Sequence, residues 1–420
     1  MTTPSRLSQL AIIIALATYW PTISFADDLD ALSLADSAPT EVVKAKEWRL
    51  FTEGMLGNIN QRNDQGDIQQ GRISFDLYLD HYFNADVHAV FSDRLDLDWV
   101  GAQNSQINTF REGYLGWQAT PNLIADLGRI NQRNGMAMGY NPTDYFKVGA
   151  IRSVVSIAPS SLRENRLGSG MVRGLYLWNT GSVTAIYSPK LGDHSQNAPF
   201  APDFGTSNPI NRWQVALSQQ ITSGLAPQLL LYGQEGQPVQ IGLNASALIN
   251  DALTVYGEYN GGRSTSLAAQ AWNESGAERQ YYSRLATGAT YTFPANISLT
   301  LEYQYNGAAL NQSAWQALAS QTQAYWRYRS YVFNVQDIPT QHGIFAYASW
   351  NDAIWSHFDL TGMFKHDLVD QSHQYWLEAR YHFKQVDLAL QYLYQTGSAG
   401  SQFGALPQQA NLQALIKYYF

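Results

Sequence analysis

The sequence predicts an all-β fold: a transmembrane, antiparallel, up-and-down β-barrel of about 18 strands, with short periplasmic turns and long extracellular loops. Three observations carry it. Segments of alternating apolar and polar residues recur from Trp48 to Phe420, joined by connections that are short and long in turn. Aromatic residues collect at both ends of those segments. Tyrosine (26) and tryptophan (12) are abundant while mean hydropathy is −0.28, which fits strands whose lipid-facing and water-facing residues cancel.

The first element is a leader. Arg6, an apolar stretch from Leu10 to Ala17, and small residues at Ser24 and Ala26 have the pattern of a signal peptide over residues 1–26. That apolar stretch falls far short of the roughly 20 residues a membrane-spanning helix needs, and no other run is long enough. A membrane form of this chain therefore spans with strands. Residues 27–46, Asp-rich and without alternation, read as a periplasmic leader too short to form a folded plug domain. Residues 47–420 are assigned to the barrel. Cysteine is absent, so an exported chain of this kind holds together without disulfides. The formal net charge of −8 becomes −9 once Arg6 is lost, and a nucleic-acid partner would call for a basic chain.

Along the barrel, Ile73, Phe75, Leu77 and Leu79 alternate with Arg72, Ser74, Asp76, Tyr78 and Asp80. The turn Asn84-Ala85-Asp86 leads into Val87, Ala89 and Phe91. Further short connections fall at Thr120-Pro121-Asn122, Asn179-Thr180-Gly181, Thr222-Ser223-Gly224, Asn250-Asp251, Pro294-Ala295-Asn296, Asn351-Asp352 and Lys384-Gln385. Longer polar connections lie near residues 59–70, 99–106, 131–164, 189–211, 234–238, 261–279, 307–341, 366–373 and 397–409. Their strict alternation gives an even strand number with both termini on the short-turn side. Phe83, Trp117, Trp178, Phe293, Trp350, Phe383 and Phe420 mark the short-turn ends, and Trp99, Trp213, Tyr259, Tyr305 and Tyr394 the opposite ends. Two such belts suit amphipathic rings at the two membrane interfaces.

The last strand places Leu412, Ala414, Ile416, Tyr418 and Phe420 on one face against Asn411, Gln413, Lys417 and Tyr419. It resembles the terminal strand of Gram-negative outer-membrane barrels, whose last residue is usually aromatic. The resemblance implies that Tyr418 and Phe420 signal to the barrel assembly machinery and that the outer membrane is the address. This strand is expected to close the barrel on the segment that starts at Trp48.

Residues opposite the lipid-facing set should line a water-filled lumen. They are Arg72, Asp76, Tyr78, Asp80, Arg173, Glu258, Arg284, Glu302, Glu378 and Arg380. Glu112 is favoured inward, with Arg111 on the opposite face. The set mixes both signs with a mild acidic excess. Such residues form selectivity rows, or solvate the wall and pair with one another. Tyr78, Tyr256 and Trp376 offer sugar-stacking surfaces or pack the wall.

Connection 131–164 follows Leu127-Gly128-Arg129 and carries glycines 135, 139 and 149. Asn141-Pro142 has the form of a helix start. The connection either enters the pore as a constriction, with Arg129, Arg152, Arg163 and Arg166 as its cations, or caps the outside. A second loop helix is expected within residues 311–326, starting at Asn311 or Ser313.

The Gly128-Arg129 strand end, Asn141-Pro142-Thr143-Asp144, Arg163, Arg166 and the strand Val172-Arg173-Gly174-Leu175-Tyr176-Leu177 resemble the alginate-export type of outer-membrane channel. The match covers residues 123–190 and is architectural elsewhere. It implies an 18-stranded channel for passive passage of a small hydrophilic solute or saccharide, extending to a polysaccharide. That family's strongly positive pore is not evident here. The alternative is a loop-plugged barrel that binds or assembles surface polysaccharide. No H-E-x-x-H or G-x-S-x-G motif occurs and the histidines have no metal spacing, so no enzyme, catalytic residue, metal or cofactor is expected.

Overall fold

The computed structural model describes residues 47–62, 66–196 and 198–420. The signal peptide and leader expected over residues 1–46 lie outside the described residues.

Alternation over most of the chain has one outcome: extended strands with two chemically distinct faces. The strands are β1 (Trp48–Gln61), β2 (Asp67–Tyr82), β3 (Val87–Val100), β4 (Gln103–Thr120), β5 (Leu123–Ile130) and β6 (Ser169–Trp178). They continue with β7 (Gly181–Ser188), β8 (Arg212–Gln219), β9 (Gln228–Gln234), β10 (Gln240–Asn250), β11 (Leu253–Ser264) and β12 (Gln280–Phe293). The remainder are β13 (Ile297–Asn306), β14 (His342–Trp350), β15 (Phe358–Asp367), β16 (His373–His382), β17 (Val386–Thr396) and β18 (Gln408–Tyr419). Each pairs antiparallel with its neighbours in sequence, forming one 18-stranded sheet. β1 closes the ring on β18, with Phe51 opposite Tyr419 and Asn58 opposite Leu412. Closure leaves no sheet edge, so the wall's amides pair from strand to strand even where water is absent.

The outward phase is apolar: Leu56, Leu127 and Leu115 are 66, 61 and 53% exposed. The inward phase is polar and covered: Arg72, Asp76 and Glu302 are 3, 1 and 2% exposed. A broad apolar band of this kind is solvated by hydrocarbon rather than water. Outward rings pair at the short-turn end, with Tyr291–Phe293 centroids 4.6 Å apart and Tyr418–Phe420 4.9 Å apart.

The connections are less strictly sorted than the sequence implies. β3 and β4 are joined only by Gly101-Ala102, where Gly101 takes a φ of 57° that a tight hairpin demands. Conversely, residues 220–227 and 351–357 make two rather long connections at the short-turn end. Strand alternation specifies this barrel more firmly than loop length does.

Among the described residues, five helices lie in the long connections: α1 (Pro159–Glu164), α2 (Phe204–Ser207), α3 (Leu267–Trp272), α4 (Gln312–Ala319) and α5 (Thr322–Asn334). Asn311 caps α4 by accepting from the Ala314 N–H. Trp315, Leu318, Tyr325 and Tyr328 of α4 and α5 bury themselves against Leu267 and Ala271 of α3. No helix starts at Asn141-Pro142, and turns occupy residues 142–149 instead. The Asn141 side chain, needed there as a cap, donates instead to Ala137 O and the Glu258 carboxylate.

Removing Tyr418–Phe420 deletes the Phe51–Tyr419 and Val386–Tyr418 pairings and the Tyr419 hydroxyl bond to Asp387. The truncated chain is expected to yield far less folded barrel in membranes, scored by heat-modifiable gel mobility. Wild-type amounts would mean that closure does not depend on these residues.

Candidate functional site

The candidate site is the lumen, and its wall over β1–β4 is a charge network. Arg72 donates to Glu53 at 2.7 Å, and Arg94 contacts Glu53 at 3.0 Å, Asp96 at 2.9 Å and Asp76 at 3.5 Å. Arg111 forks onto Asp76 through two bonds of 2.7 Å. Both Arg111 and Glu112 therefore belong to the inner side, which corrects the expectation that they point to opposite faces. A bulge is the cause: Ser92 faces Glu112 while Asp93 faces Phe110, leaving Arg111 as the extra residue. Arg94 and Asp96 were also legible, since Arg94-Leu95-Asp96-Leu97-Asp98 alternates in the same phase as Arg72.

A second group lies on β15–β18, toward the short-turn end. Arg380 binds Glu378 at 2.9 Å and approaches Asp387 at 3.6 Å. His382 bridges Asp387 at 2.8 Å and Asp359 at 3.1 Å. Near the same end, Asp80 meets His88 at 2.7 Å, and the Arg49 guanidinium lies 5.9 Å from the Tyr78 ring centre. Arg173 pairs with Asp126 at 2.8 Å, and Arg284 stands 3.6 Å from Asp337. All eleven residues read from the sequence as pore-lining occupy the inward phase, and most are already paired.

The main feature of the lumen is the segment 131–168, which leaves β5, crosses to the far wall and returns to β6. Asn134 donates to Gln214 on β8 at 2.7 Å. The Ala137 N–H donates to Glu258 on β11 at 2.5 Å, and Met138 and Gly139 donate to Glu302 on β13 at 2.9 and 3.2 Å. Thr143 reaches Asn244 on β10, and Tyr145 stacks on Tyr232 of β9 with ring centres 4.3 Å apart. Val155 O accepts from Arg72 on β2. Close docking needs glycine: a Cβ on Gly135, whose φ is 83°, would sit 2.4 Å from the Glu258 carboxylate. These contacts put the segment against the inner wall, not outside the barrel as a cap.

Apolar patches of the inner wall complete the docking. Ile130, Met171, Ile186 and Leu230 bury Tyr145 and Phe146. Phe345, Met363 and Trp376 pack under Met138, Ile157 and Ala158. Trp376 and Tyr256 are therefore covered, the latter donating to Glu302 at 2.9 Å. Neither is free to stack on a sugar.

The four arginines assigned to the constriction have other roles. Arg129 ends β5 in the outward phase of Leu115 and Leu127, opposite Gly113. Its guanidinium lies over the Phe110 and Phe204 rings and donates to Gly168 O, so it is corrected out of the pore. Arg163 donates to Asn134 O and Gly135 O, and Arg166 is 1% exposed and bound to Asp144 at 2.8 Å. These two hold the segment's own fold. Arg152 reaches Gln196 O in the connection before β8. Burial lowers the pKa of Lys147, opposed by Asp337 and Asp144, and its ammonium donates to Asn141 O at 2.7 Å. Above the segment, the Gly149 N–H donates to Asn334 O at the end of α5. Among the described residues, no group of three or more His, Asp or Glu side chains is placed to hold a metal.

No protein-family model and no curated protein matches the chain. Solved structures do. Pseudomonas aeruginosa OccK5 (OpdH) aligns at TM-score 0.55 and 9% identity, over 89% of this chain and 97% of that one. Acinetobacter baumannii OccAB1 gives 0.55 and 9%, over 89% and 96%, and the outer membrane protein OprD from P. aeruginosa gives 0.52 and 12%, over 89% and 94%. Identity this low establishes a shared fold, the closed 18-stranded barrel. It does not single out the alginate-export type suggested by residues 123–190.

Proposed function

We propose that the chain is an outer-membrane channel of a Gram-negative bacterium for passive passage of a small hydrophilic solute, with residues 131–168 as its constriction. The observation that carries this reading is a segment that crosses a charged lumen inside a wall whose outer face suits hydrocarbon. The shared fold with OprD, an outer membrane protein of P. aeruginosa, supports the location. A small solute is favoured over an anionic polymer, because Arg72, Arg94, Arg111, Arg166 and Arg173 are each held by a carboxylate.

One cation of the segment differs. Arg133 is half-buried, and among the described residues its guanidinium has no hydrogen-bond partner. Glu112 is the carboxylate that feels its charge, itself accepting from the Asn131 N–H. Arg133 is thus the segment's available charge for an anion or a carboxylate group of the solute.

Planar-bilayer recording tests both statements. Purified protein is expected to give stable ion conductance, and its absence over many insertions favours the plugged barrel. In a salt gradient, Arg133→Gln is expected to shift the anion-to-cation permeability ratio toward cations by about two- to fivefold. An unchanged ratio in a conducting variant would place Arg133 off the ion path.

A further inference from the structure

The outward phase of β3 reads Phe91, Asp93, Leu95, Leu97, Trp99. Asp93 stands in the middle of this strand, opposite Leu77 of β2 and Phe110 of β4. In the described strands no other carboxylate stands outward between two apolar outward neighbours. Its side-chain partner is Asn108, whose amide donates to the two carboxylate oxygens at 3.0 and 2.8 Å. The two cations beside it face inward: Arg94, next in sequence, binds Glu53 and Asp96, and Arg111, turned by the bulge, forks onto Asp76 and gives Asp93 only a backbone contact.

Asp93 is only half-buried, so its carboxylate keeps a side open toward whatever surrounds the barrel. An ionised carboxylate with no donor beyond the Asn108 amide and the Arg94 N–H is poorly solvated by hydrocarbon. A lipid headgroup does not reach this depth, because apolar outward residues lie on both sides of Asp93 along the strand. Another protein surface does. Farther along β4, Gln106 and Asn104 stand outward and exposed, opposite Leu97 and Trp99. Primary amides both donate and accept, so this strip is complementary to a two-fold-related copy of itself.

We infer that the outer face of β3–β4 is a self-association surface, on which an amide of a second, two-fold-related copy completes the hydrogen bonding of Asp93. The proposal rests on the membrane reading of the barrel but not on conductance.

The chain contains no cysteine, so an introduced one reports on its own position without background. Leu95→Cys sits beside Asp93, and Leu301→Cys sits on the outer face of β13 as a control. Oxidative cross-linking of the full chain in its membrane is expected to give covalent dimer from Leu95→Cys and little from Leu301→Cys. Adding Asp93→Leu should lower the Leu95→Cys dimer roughly tenfold, the effect of losing one charge-assisted hydrogen bond. Heat-modifiable mobility confirms that each variant is folded. No dimer from Leu95→Cys, equal dimer at both positions, or a dimer indifferent to Asp93→Leu would each overturn the inference. Failure to recover any variant from the membrane fraction would instead overturn the membrane reading on which it rests.

Discussion

Replacing residues 132–166 with a short glycine-serine turn is expected to raise single-channel conductance several-fold while the barrel still assembles. The wall permits the excision because β5 and β6 remain paired from Leu123–Tyr176 to Ile130–Ser169, leaving ends that a hairpin turn can join. What is lost is the crossing itself, with its bonds to Gln214, Glu258, Glu302 and Asn244. The variant will be less stable, since Ile130, Met171, Ile186, Phe345 and Trp376 become wetted inside the barrel. Three outcomes are informative. A conducting wild type with a larger variant supports a constriction; a silent wild type with a conducting variant identifies a plug; equal conductance in both removes the segment from the ion path.

Arg94→Leu is the substitution expected to destabilise the wall most. The Arg94 guanidinium serves Glu53, Asp96 and Asp76, and its side chain is 5% exposed. Its loss leaves three covered carboxylates sharing Arg72, Arg111 and the nearby Lys417. Breaking one member of a buried ionic network typically costs about 3–5 kcal/mol, mainly from the charge left uncompensated. The urea midpoint of refolded barrel, followed by tryptophan fluorescence, should fall accordingly. Glu53→Gln added to Arg94→Leu should recover part of the loss by removing one of the stranded charges. If the single variant unfolds at the wild-type midpoint, the network is hydrated enough to screen itself and carries little of the wall's stability.

Alternation gives the inward phase where the period of two holds and loses it where the period breaks. Asp76, Glu258 and Glu302 follow from counting alternate residues away from Leu77, Val255 and Leu301. Arg111 could not be found this way, because a bulge inserts one residue and nothing local announces it. Arg129 misled for a related reason. It follows a Gly128 with φ of 142° and was assigned to the loop by its neighbours, whereas its register opposite Gly113 sets it on the outer face. The helix expected at Asn141-Pro142 was overridden by tertiary bonds to the capping side chain. Asn311, whose side chain meets no such competitor, caps the helix that the same rule anticipates.

By itself the sequence determined the strand alternation, the closed antiparallel barrel, the polarity of its two faces and the pairing of its last strand with its first. These follow from a backbone whose side chains alternate every residue and from a surrounding medium that tolerates no unpaired amide. Only the tertiary structure decided which inward charges are spent and which are free, and that residues 131–168 cross the lumen. Those facts depend on partners far apart in sequence, such as Ala137 with Glu258 and Val155 with Arg72, which meet only once the ring is closed.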